Sequence, residues 1–132
     1  MLEQEDVKSY VKTLPELIDL TKELGRELGK RSSPAHSLKA FMIYSELNEL
    51  GKALEMCDYS FANRIFFDLG YDYGRWTQVI LSSDDLDDED REIVEDKLDE
   101  FREKIWDLMD EIDRYFKNVC GLEMRPVKAR RP

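Results

Sequence analysis

Eight apolar residues between Val94 and Val119 set the terms for this chain. Val94, Leu98, Phe101, Ile105, Leu108, Ile112, Phe116 and Val119 follow one another at spacings of 4, 3, 4, 3, 4, 4 and 3. That is a helical period held for about seven turns. The opposite face carries Asp96, Asp99, Glu100, Glu103, Asp107, Asp110, Glu111 and Asp113. A helix with so long an oily stripe is not stable alone in water, so the other segments must cover it.

Three shorter helical stretches are available to do so. Thr13-Leu14-Pro15-Glu16 reads as a helix start, with Thr13 as N-cap, Glu16 closing a capping box and Pro15 tolerated in the first turn. Leu17, Leu20, Leu24 and Leu28 follow as its stripe. Ser33 and Pro34 open a second helix that runs to about Cys57. Its seam is Ala40, Ile43, Leu47, Leu50 and Leu54, broadened by Leu38, Phe41, Met42 and Ala53. Asp58 or Ser60 caps a third, about 60 to 81, carrying Phe61, Ala62, Ile65, Phe66, Leu69, Tyr73, Trp76 and Ile80. Seven of the fourteen aromatic residues crowd between Tyr59 and Trp76, which makes this helix apolar on more than one face. Gly70 and Gly74, four apart, clear a strip where a neighbouring helix can come close. Asp87 caps the long helix and Gly121 ends it.

The fold class expected is therefore all-α: an antiparallel four-helix bundle over residues 1–121. Residues 3–12 add a short helical segment offering Val7, Tyr10 and Val11. Residues 122–132 (LEMRPVKARRP, net +3) form an extended basic tail containing prolines. The long helix, at about 50 Å, exceeds the others by roughly 14 Å. Its thin, acidic beginning is expected to project as a knob, unless residues 3–12 cover the excess. From Phe101 onward Trp106, Met109 and Tyr115 thicken the packed surface. Glu100 with Lys104, Asp110 with Arg114 and Asp113 with Lys117 are spaced as i,i+4 pairs.

Composition narrows the setting. With 132 residues, 42% hydrophobic and 38% charged, the chain reads as one soluble globular domain. No window approaches eighteen apolar residues, and MLEQEDVKSY has neither a basic start nor an apolar run, so a cytoplasmic protein without a membrane segment is expected. Cys57 and Cys120 lack metal-type spacing and read as reduced thiols. Asn and Gln total five beside fifty charged side chains, a composition that leans towards a thermophilic source.

Charge points to a class of partner. Of the net −10, residues 84–113 hold sixteen acids against four bases, a net of −12, so the remainder sums to +2. Such a face repels a phosphate backbone and disfavours direct nucleic-acid binding. It suits a basic protein surface. The function expected is a non-catalytic interaction module, a small subunit, adaptor or inhibitor. Phe67 and Tyr71 would dock it or a second copy, and Asp84, Asp85, Asp87, Asp88 and Asp96 would face the basic partner. In an alternative reading the same acids imitate duplex phosphate and occupy a DNA- or RNA-binding groove. A plainly solvated acidic face is the competing explanation.

Two motifs carry enzymatic alternatives. Ser45-Glu46-Leu47-Asn48-Glu49-Leu50-Gly51-Lys52-Ala53-Leu54 is similar to the first carboxylate motif of MazG-type nucleotide pyrophosphohydrolases, which are helical and hold Mg²⁺. The resemblance implies a metal site on Glu46 and Glu49, completed by Asp68 and Asp72 from the next helix. Arg31-Ser32-Ser33-Pro34-Ala35-His36 resembles the Arg-x4-6-His motif of HEPN ribonucleases, all-α dimers. It implies that His36 moves a proton while Arg31 holds a phosphate. The structural alternatives are solvated carboxylates for the first, and for the second an Arg31 that neutralises a helix end. There is no Gly-rich phosphate loop, zinc ligand set or Ser-His-Asp grouping, and no cofactor is expected.

Overall fold

The computed structural model describes residues 7, 9–32 and 34–122. Among them the secondary structure is entirely helical. The four main helices are α1 (Thr13–Arg31), α2 (Pro34–Glu55), α3 (Tyr59–Leu81) and α4 (Asp88–Asn118). Val7, Ser9 and Tyr10 are also helical, and the Val11 amide donates to the Val7 carbonyl at 2.7 Å. The remainder of the short segment expected over 3–12, the Ser33 cap and the tail after Leu122 lie outside the described residues.

Local chemistry sets two of the helix starts. Asp58 accepts from the Phe61 amide at 3.0 Å and Asp87 from the Asp90 amide at 2.8 Å, each filling a donor that the helix cannot satisfy itself. Asp88, Glu89 and Asp90 then face the positive end of the α4 dipole. At the other end Gly121 adopts φ 69, and the Leu122 amide closes back on the Phe116 carbonyl at 2.9 Å.

The first helix starts differently from the capping box that its sequence suggests. Thr13 is already helical, and Lys12 at the cap position makes no side-chain capping bond. Glu111, distant in sequence, supplies the carboxylate instead. It accepts from the Thr13 amide at 2.8 Å and from the Thr13 hydroxyl. A residue that spacing puts on the solvent face of α4 is therefore turned onto a neighbouring helix dipole. Glu111→Ala should cost about 1–2 kcal/mol, read as a lowered urea midpoint, because it strips a buried Thr13 of its acceptor.

The core is one cluster drawn from all four helices. Leu17, Leu24 and Leu28 of α1, Ile43, Leu47 and Leu50 of α2, Leu69 and Ile80 of α3, and Phe101, Leu108 and Phe116 of α4 are essentially without solvent contact. Glycine lets α1 and α2 approach: a Cβ built on Gly25 lies 3.3 Å from that of Ala40. Polar links fix the register. Glu16, Glu23 and Arg31 of α1 bond Lys104, Lys97 and Asp90 of α4. Lys104, spaced to pair with Glu100, thus reaches across to Glu16 at 2.8 Å. Trp76 donates to the His36 carbonyl at 3.0 Å, and Tyr115 to that of Leu54 at 2.8 Å. Tyr73 donates to the Leu98 carbonyl and stacks on Phe101 with centroids 4.6 Å apart.

Several expectations are corrected by this packing. The start of α4 is no projecting knob: Val94 and Leu98 are buried, and Asp90 is tied to Arg31. The added length of α4 is covered at its other end, where Tyr10 packs edge-on against Tyr115 and Tyr59 against Phe116. Trp106 is not packed but 63% exposed, and Leu38, Phe41 and Met42 face outward rather than broadening the α2 seam. Cys57 and Cys120 are not reduced thiols: they form a disulfide, Cα atoms 5.7 Å apart, joining the α2–α3 turn to the end of α4. Cys57 itself sits at φ 52, where the chain reverses between Glu55 and Tyr59.

Candidate interaction surface

The apolar stripe of α3 (Ala62, Ile65, Leu69, Tyr73, Trp76 and Ile80) faces the core and rotates Phe67 and Tyr71 to the opposite side. Phe67 is 75% exposed and Tyr71 59%, on successive turns of one helix face. The Arg75 guanidinium lies over the Tyr71 ring, 5.8 Å from its centroid. Gly70 and Gly74 do not admit a neighbouring helix among the described residues, because a Cβ at either would meet none of them within 4 Å. They line an open cleft of about 390 Å³ between α3 and α4, with Tyr73, Leu98, Ile105 and the exposed Trp106. Large apolar side chains left in water on one face mark a docking surface more often than chance.

The acidic end is built separately. Leu86 is buried and anchors the turn between α3 and α4. Arg91 reaches back to donate to the carbonyls of Leu81, Ser83 and Leu86, and the Ser83 hydroxyl accepts from the Asp85 amide at 3.1 Å. This frame holds Asp84, Asp85, Asp87 and Asp88 in solvent, with Asp96 exposed two turns further along. Among the described residues none of these five forms an ion pair. Phe67 and Tyr71 are not part of the same patch. Tyr71 precedes the end of α3 by ten residues, roughly 15 Å of helix.

Of the four carboxylates of the MazG-like motif, Glu46 and Asp72 meet. Glu46 lies half-buried in the seam between α2 and α3, against Asp72, with Asp68 and Glu49 near. Burial raises its carboxyl, and a hydrogen bond to Asp72 and the charges of Asp72, Asp68 and Glu49 push it further, to about 8. Its Oε1 is buried without a hydrogen-bond partner. Glu46 is therefore the neutral acid that lets the Asp72 carboxylate sit beside it. As arranged, no group of three or more His, Cys, Asp or Glu side chains among the described residues is placed to hold a metal ion. The seam does not fit Mg²⁺ in this conformation.

The Arg31 and His36 pair is spent on structure. Arg31 bonds both Glu27 and Asp90, and these bonds hold its guanidinium more firmly protonated than usual. His36 is buried, its Nδ1 against the Ser32 hydroxyl and its carbonyl under Trp76. Sequence reasoning missed one surface, the outward side of α2. There Phe41 and Tyr44 border a cleft of about 540 Å³ with Lys22 and Arg26. Their spacing resembles core residues, so only the α1–α2 contact reveals it. No helix among the described residues is long and apolar enough to cross a membrane. No protein-family model matches the chain, and no curated protein or solved structure matches it either.

Proposed function

We propose that the protein is a non-catalytic interaction module, an antiparallel four-helix bundle that presents the acidic turn before α4 to a basic partner protein. The supporting observation is a set of five exposed carboxylates without an ion pair among the described residues, four of them at the turn that Arg91 and Leu86 anchor and Asp96 two helical turns further on. Fixed charges of one sign steer a cationic partner and lose little freedom when it arrives. The aromatic face of α3 is the second docking surface. A cytoplasmic, thermophilic setting accommodates the disulfide, since intracellular disulfides are common in hyperthermophiles.

The test is capture of partners from the host with the intact chain. Replacing Asp84, Asp85, Asp88 and Asp96 with Asn should weaken capture roughly tenfold or more and flatten its salt dependence. Capture unchanged by all four substitutions rejects this reading. The MazG-like nucleotide pyrophosphohydrolase reading has less behind it, since only Glu46 and Asp72 touch and no described carboxylate group is placed to hold Mg²⁺. It requires pyrophosphate release from nucleoside triphosphates with Mg²⁺, abolished in Glu49→Gln.

A further inference from the structure

We infer that α3 pairs with the α3 of a second copy of this chain, the two running in opposite senses across a two-fold axis. This deepens, and rests on, the reading of the α3 aromatic face as a docking surface. Phe67 and Tyr71 are projecting knobs, and Gly70 and Gly74 on the same helix are holes that no described residue of their own chain fills. Let the axis cross α3 between residues 70 and 71, so that facing residue numbers sum to 141. Phe67 then falls on the second copy's Gly74, while the two Tyr71 rings lie almost level and meet beside the axis. The two-fold repeats the Phe67–Gly74 contact, the self-complementarity that an isologous interface needs. Trp106 lines the same cleft as the two glycines and closes its side.

Charge selects a second copy as the occupant. Within α3, Arg64 and Arg75 balance Asp68 and Asp72, whereas α4 carries thirteen acids against six bases. The other balanced helix, α1, bears no exposed large apolar residue, so two copies of so acidic a chain can meet with least repulsion and most apolar contact on α3. In the same register Arg75 lies two residues from the second copy's Asp68, about 3 Å along the axis, and the converse pair forms by symmetry. A helix backbone brought close over glycine places these side chains within reach.

Sedimentation velocity on the intact chain, up to about 100 µM, tests the pairing. The wild type should be a dimer. Phe67→Glu with Tyr71→Glu should be monomeric with an unchanged melting curve. Gly74→Leu should weaken the dimer roughly tenfold despite adding apolar surface, because it fills the hole that Phe67 occupies. Arg75→Asp or Asp68→Arg alone should weaken association, and the two together should restore it. A wild type that stays monomeric, a dimer indifferent to or tightened by Gly74→Leu, or a charge swap without rescue overturns the pairing. If the wild type is monomeric but Phe67→Glu with Tyr71→Glu loses a captured partner, the pairing falls and α3 still docks a partner. If that double variant keeps every partner, the docking role of α3 falls as well.

Discussion

Reducing the Cys57–Cys120 bond should lower the unfolding free energy by about 4 kcal/mol, the loop-closure entropy expected for a sequence separation of 63. The bond ties the α2–α3 turn to the end of α4, two places that otherwise meet through Tyr59 on Phe116 and Tyr115 on the Leu54 carbonyl. Tyr115, Phe116 and Leu54 are fully buried and Tyr59 partly so, and the reduced chain should therefore keep its helices at 25 °C. Its melting temperature should nonetheless fall by roughly 10–15 °C. Urea unfolding with and without a reductant measures the difference, and Cys57→Ser with Cys120→Ser should reproduce the reduced curve. Superimposable curves would mean that the unfolded chain gains nothing from losing the crosslink.

Raising the pH from 5 to 8 should destabilise the wild type relative to Glu46→Gln. The Glu46 carboxyl titrates near 8 in the folded chain against an ordinary 4.5, so folding favours its protonated form. That contribution is present in full below about pH 4.5 and is lost as the pH climbs through about 8. A fully buried acid would lose about 1.4 kcal/mol per pH unit across this window. Glu46 keeps some solvent contact, and roughly half that slope, about 2 kcal/mol in all, is the expected difference. Glutamine retains a donor for Asp72 and carries no charge, so the variant should match the wild type near pH 5 and surpass it near pH 8. The difference between the two proteins, rather than either curve alone, isolates this group from the other carboxylates. Parallel curves would show that the seam opens to water when Glu46 ionises.

The parts of the fold legible in sequence are those decided within a few residues. Asp58 and Asp87 cap the helices that their spacing announces, and the stripe from Val94 to Phe116 faces inward, with Ile105 at its half-exposed edge. What sequence could not give depends on pairings between distant segments. Glu111 lies 98 residues from the Thr13 that it caps, and Cys57 lies 63 from Cys120. Neither spacing carries a local signal. Trp106 falls at the margin of the α4 stripe, and its exposure follows from the gap that Gly70 and Gly74 leave between α3 and α4. The wide apolar arc of α2 hid the same ambiguity, since Leu38 and Phe41 could as well have been core. At the candidate surface the exposed acids were readable from charge alone. The neutral state of Glu46 was not, because it depends on which helix lies opposite.

The crosslink and the bare carboxylates sit at opposite extremities of α4, whose 31 residues measure about 46 Å. A bead, dye or fusion attached beside the crosslink leaves the acidic extremity unobstructed. On the reading proposed above, a basic surface would meet this molecule tip first, as a plug meets a socket, and each copy would cover only a small footprint on it.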